Sequence, residues 1–104
     1  MSEMPELIIA NTSCLILLSK INFLNLLEKL YGQVFITPEI SGEYGSTLPS
    51  YIKVKEVPDK KYIQLLSWQI DKGEASTIAL ALSTSNSLVI WMIKKPEKWL
   101  NNLT

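Results

Sequence analysis

The run Glu6-Leu7-Ile8-Ile9-Ala10, followed at once by Asn11-Thr12-Ser13, constrains this chain more than any other stretch. Four apolar residues in succession, with no polar alternation, leave a strand no face for water, so both faces must be covered. Three helix-capping side chains stand directly after it, so the chain is expected to pass from buried strand into helix almost without a loop. A strand of that kind belongs in a parallel sheet, whose crossovers lay helices on both faces.

The rest of the chain repeats the alternation. A short helix is expected over residues 14–19. Asn22 is placed to cap a second, carrying Phe23, Leu24, Leu27, Leu30 and Tyr31 at helical spacing to a stop at Gly32. Val34-Phe35-Ile36 reads as a second short strand. Thr37-Pro38-Glu39 then gives a cap, a proline at the first helical position and an acid in the first turn. That helix should be brief, broken by Gly42, Gly45 and Pro49. Residues 51–57 alternate and predict an edge or half-exposed strand. Pro58-Asp59 should start a helix through Ile63, Leu66 and Ile70. Residues 75–83 form another, opened by Asp71-Lys72-Gly73-Glu74, and residues 88–93 form a last buried strand. The expected fold class is α/β, a three-layer α/β/α arrangement around a central parallel sheet. At 104 residues the chain should make a single domain.

Composition narrows the chemistry such a sheet can host. There is no histidine, which removes His/Cys zinc sites and His general bases, and a metal would need oxygen ligands, hence Mg2+ or Mn2+. The single cysteine, Cys14, cannot form an intrachain disulfide, so a cytoplasmic setting is expected. The net charge is zero, which argues against a standing face for duplex DNA. The acidic start MSEMPE does not read as a secretory leader, and no apolar run approaches the ~20 residues of a membrane span.

Ligands in open α/β sheets bind beyond the carboxyl ends of the strands. Asn11 directly follows the first strand, Glu43 lies in the helix after the second, and Glu74 opens the helix at residues 75–83. Each also has a plain structural reading. Asn11 is a good cap, Glu43 an ordinary solvated carboxylate, and Glu74 an acid suited to a helix N-terminus.

Their order carries more. The string IIANTSCLILLSKINFLNLLEKLYGQVFITPEISGEYG, followed by YIKV and DKGEASTIALAL, resembles the PIN domain, most closely the short bacterial and archaeal proteins related to VapC-type toxins. The resemblance runs from about residue 7 to 90 and leaves residues 91–104 as an atypical tail. It implies a metal-dependent ribonuclease with acidic side chains gathered at the carboxyl edge of the sheet. Asn11 falls where the family usually has its first Asp, Glu43 matches the second acid, and Glu74 the acid of the GEA string. These three would be the catalytic and metal-holding residues, for Mg2+ or Mn2+, with Thr12 and Ser13 as polar support. The partners implied are RNA and an antitoxin-like protein, with a homo-oligomer as the expected assembly. Cys14, where the family commonly has proline, reads as a small packing residue.

The family would place a further acidic pair after the last strand, and here the chain has Trp91-Met92-Ile93. Trp has only the codon TGG, Met only ATG, and every Ile codon begins AT, so the gene must read TGGATGAT at this point. Shifted to its third base, that string is GAT GAT, which encodes Asp-Asp without any choice of codon. The expectation is therefore a single-base insertion or deletion near codon 90, which leaves the fold C-terminally truncated and the tail out of frame. Two functions then compete. One is an impaired metal-dependent ribonuclease. The other is a catalytically dead remnant that oligomerises or binds an antitoxin through exposed apolar surface including Trp91 and Trp99. Lys94, Lys95 and Lys98 read as solvated tail lysines.

Overall fold

The computed structural model describes residues 7–84 and 86–91. The expected readings of Glu6, Met92, Ile93, Lys94, Lys95, Lys98 and Trp99 lie outside those residues. Nine elements follow in the order β1 Leu7–Ala10, α1 Thr12–Lys20, α2 Leu26–Tyr31, β2 Val34–Ile36, α3 Pro38–Tyr44, β3 Ile52–Val54, α4 Lys61–Leu66, α5 Lys72–Leu82 and β4 Ser87–Ile90. The strands form one sheet in the order β3-β2-β1-β4, and all its pairings are parallel. Register is continuous along β1 and β4, from Leu7 opposite Ser87 to Ala10 opposite Ile90.

The alternation of side chains along β1 divides the core in two. Ile8 and Ala10 face a cluster with Cys14, Leu15, Leu27, Val34 and Ile40, contributed by α1, α2, β2 and α3. Leu7 and Ile9 face the opposite cluster, where Ile63 of α4 and Ala75, Ala79 and Leu80 of α5 cover the sheet. This is the three-layer α/β/α architecture that the apolar run required. Every residue of β1 is buried.

Local chemistry places most boundaries where the sequence puts them. Asn11 caps α1 by accepting from the Cys14 backbone N–H at 3.0 Å. Thr37 caps α3, with Pro38 as its first residue. Gly32 and Gly45 end α2 and α3 with positive φ of 78° and 71°, a conformation that costs other residues more.

Four expectations are corrected. Asn22 does not cap α2 but sits at φ 62° in the turn after α1, and α2 begins only at Leu26, so Phe23 and Leu24 precede it. Asn tolerates that left-handed turn, which uses it better than a cap would. Helix α3 runs through Gly42 and stops at Gly45, because one glycine lowers helix propensity without breaking a capped turn. Helix α4 starts at Lys61 and ends at Leu66, so Ile70 falls in the turn that follows. Among the described residues the last strand lies at the sheet edge rather than buried, with Leu88 40% exposed.

A chain of buried hydroxyls ties the two helical layers together at the carboxyl end of the sheet. Ser76 Oγ donates to the Gly73 carbonyl at 2.7 Å, and Thr37 and Ser76 hydroxyls lie 2.6 Å apart. Since Ser76 spends its proton on Gly73, Thr37 must donate to Ser76, and Thr37 Oγ1 in turn accepts from the Ile40 N–H. Both side chains are fully buried. Thr37→Val keeps the shape and removes the hydroxyl, so it should lower the free energy of urea unfolding by about 2–3 kcal/mol, combining a lost cap with a broken buried hydrogen bond.

Candidate active site at the carboxyl edge of the sheet

Strand order reverses direction at β1, whose neighbours β2 and β4 are reached by crossovers through opposite helical layers. The crevice beyond the carboxyl ends of β1 and β4 is the place where such sheets bind ligands. Asn11 stands there. Its backbone N–H donates to the Ile90 carbonyl at 3.4 Å, so the ends of β1 and β4 meet at Asn11 and Trp91. Asn11 is itself buried, and one of its side-chain interactions is the α1 cap. Cap and site position are thus the same residue.

Glu43 reaches the crevice from α3, which packs against both α1 and α5. Thr12, the first residue of α1, donates its hydroxyl to Glu43 Oε1 at 2.6 Å. On the other side the Glu43 carboxylate lies against Gly73 in the first turn of α5. A Cβ built at Gly73 would fall 2.6 Å from Glu43 Oε2 and closer still to Oε1. Glycine here leaves room for the carboxylate, and any side chain at this position would push the tip of Glu43 aside. The contact sets a carboxylate beside a helix N-terminus, whose partial positive charge favours it.

Glu74 is the next residue along α5. Its carboxyl is held above the ordinary value of 4.5, first by burial, then by the charge and hydrogen bond of Asp71, then by the charge of Glu43. The structure thus brings Thr12, Glu43 and Glu74 together, with Asn11 at the adjoining strand ends. Ser13 is half-buried, and no hydrogen bond links it to either glutamate among the described residues. Cys14 is buried, and burial pushes its thiol up to about 11, which fits packing rather than nucleophilic chemistry.

Two participants were not singled out by the sequence pattern. Asp71 caps α5 through the Glu74 N–H at 2.9 Å and supplies a third carboxylate, for which the D-x-x-E spacing was the available signal. Gly73 is the second, and only the fold shows what lies against it. Glu39, half-buried in the first turn of α3, lines a separate cleft with Asp59 and Lys61, and its Oε1 is buried without a hydrogen-bond partner among the described residues.

The donor set is all oxygen: carboxylates, an amide and a hydroxyl, the set suited to hard divalent cations. No group of three His, Cys, Asp or Glu side chains among the described residues is arranged to hold a metal ion.

Gly73→Ala should separate site from fold. The group displaced is the tip of a flexible side chain, and alanine is the better helix former by up to about 1 kcal/mol. The variant should therefore keep or raise the melting temperature while weakening Mn2+ binding severalfold in a calorimetric titration.

Glu74 gives a pH-dependent test. A carboxyl whose folded-state pKa is raised holds its proton more tightly in the folded chain, so its contribution is full at low pH and is lost as pH rises above about 4.5. In chelator at neutral pH, Glu74→Gln should be more stable than the parent, by under about 1 kcal/mol because solvent screens the site. Urea unfolding across pH should show that advantage vanish in acid.

Neither the curated proteins nor the solved structures yield a match. Among the described residues, no helix is long and apolar enough to cross a membrane. The PIN domain family matches residues 7–92, a span that covers every described element and ends just after Trp91. The chain belongs to the PIN domain family.

Proposed function

We propose that this chain carries a weakened, VapC-like ribonuclease site built on Asn11, Glu43 and Glu74, acting in the cytoplasm. The observation that carries the reading is the placement of Glu43. Its carboxylate accepts the Thr12 hydroxyl on one side and on the other occupies the space a side chain at Gly73 would take, near enough to Glu74 for the two charges to interact. An isolated surface glutamate does not need a hydroxyl donor and a glycine cut away to admit it.

Glu43 and Glu74, with Asn11, are the residues that would hold Mg2+ or Mn2+. Such an ion, when bound, lowers the pKa of an attacking water and stabilises charge on the phosphate. The chain's own residues supply the rest. Thr12 orients Glu43 by its hydrogen bond. Glu74, facing Glu43 and Asp71, is driven toward the protonated form when no cation balances the cluster, so the site binds cations in competition with protons. RNA is the proposed substrate.

The weakness of the site follows from what stands beyond β4. Trp91, 36% exposed, occupies the place where the resemblance calls for an acid next to Asn11. In this reading the sequence from Trp91 onward is out of frame, and the support for it is the Asp-Asp pair that the shifted frame of Trp91-Met92-Ile93 is forced to encode.

The decisive measurement is Mn2+-dependent cleavage of single-stranded RNA. Slow cleavage abolished by Glu43→Gln and raised at least about tenfold by Trp91→Asp with Met92→Asp supports the proposal, since one restored carboxylate interaction is worth that order of rate. Metal-independent cleavage, or none in either protein, would reject it.

A second reading has its own observation. Trp91 lines an apolar groove of about 370 Å3 with Ile78, Leu82 and Val89, and Leu82 is 62% exposed. On the opposite helical layer Phe23, Leu26 and Leu30 are also exposed, by 56%, 40% and 59%. Such surface favours a homo-oligomer or an antitoxin-like protein partner. A concentration-dependent dimer in sedimentation, with no cleavage even after the acids are restored, would select this reading.

A further inference from the structure

Between α4 and α5 lies a groove of about 870 Å3 whose edge is formed by Trp68, exposed over 87% of its surface. Lys61, at the start of α4, and Lys72, at the start of α5, also line it, together with Gln64 and the 69%-exposed Leu65. Among the described residues no carboxylate lines this groove. Both lysines continue into an adjoining cleft of about 470 Å3, where Glu39 and Asp59 face them and Lys60 joins. Lys60 is paired with Glu56 at 3.3 Å; Glu39 and Asp59 line the second cleft and not the groove beside Trp68, whose charged lining residues are Lys61 and Lys72. Lys72 sits one residue before Gly73 and two before Glu74, which ties the cationic end to the turn that supports the site.

We infer that this groove is the track for single-stranded RNA, with Trp68 as a base-stacking platform and Lys61 and Lys72 as phosphate contacts, leading the strand to Glu43 and Glu74. The inference rests on the reading of those two glutamates as a site for RNA cleavage. A flat aromatic face left open to water, beside two ammonium groups and an amide, offers the pairing of stacking and charge that binds single strands without sequence preference. Charge complementarity is local, which suits a chain of zero net charge. A duplex, with its bases stacked inside, could not use Trp68.

The test is fluorescence anisotropy of a labelled single-stranded RNA of about 12 nucleotides, within the usual range of site sizes. It is titrated with the full chain in chelator, so that nothing is cut. Trp68→Ala should weaken binding roughly tenfold, whereas Trp68→Phe, which keeps a stacking face, should stay within about threefold. Lys61→Ala with Lys72→Ala should flatten the salt dependence by about 1.4 logarithmic units, two phosphate contacts at about 0.7 each. Trp68 is exposed, and an unchanged urea midpoint shows that the variant has folded. Equal affinity for Trp68→Ala and the parent overturns the inference, as does loss of self-association in that variant without any RNA binding. RNA bound through Trp68 but never cut with Mn2+ upholds the groove and rejects the nuclease reading. Cutting with Trp68-independent affinity does the reverse.

Discussion

The buried hydroxyl chain from Thr37 through Ser76 to the Gly73 carbonyl is the interaction on which the geometry of this protein turns. It begins at the cap of α3 and ends in the first turn of α5, so it fixes the relation of two helices that lie on different faces of the sheet. Apolar contacts alone would permit sliding, because dispersion and burial are not directional. Three hydrogen bonds in series are directional, and each buried hydroxyl left unpaired would cost free energy. Glu43 inherits its place from this coupling, since α3 carries the carboxylate and α5 the glycine that receives it.

The same coupling explains why acids can gather at this edge without unfolding it. Glu43 accepts the Thr12 hydroxyl and lies beside the first turn of α5. Glu74 bears the cost, its carboxyl raised by burial and by its two acidic neighbours. In the proposed reading, a cation at this edge would relieve the charge crowding that raises Glu74.

Much of the fold was legible from residue order. The apolar run at β1 required coverage on both faces, Thr37-Pro38 marked the start of α3, and Gly32 and Gly45 marked helix ends, because caps, prolines and glycines act within a few residues. The misreadings came where two local choices were nearly equal in energy. Asn22 could cap a helix or take a left-handed turn, and packing of the following segment chose the turn. Leu88 read as buried from its neighbours, yet β4 lies at the sheet edge among the described residues, which hydropathy does not encode.

By itself the sequence determined the α/β class, the capping of α1 by Asn11, the all-oxygen character of any metal site and the positions of Glu43 and Glu74 at the carboxyl edge. These follow from residue types and short spacings. Only the tertiary structure decided that Thr12 donates to Glu43, that the Glu43 carboxylate lies against Gly73 and that Trp68 stands open beside Lys61 and Lys72. Those relations join residues as far apart as 12 and 43 or 43 and 73, and the distance between them is set by how α1, α3 and α5 pack, which no local pattern contains.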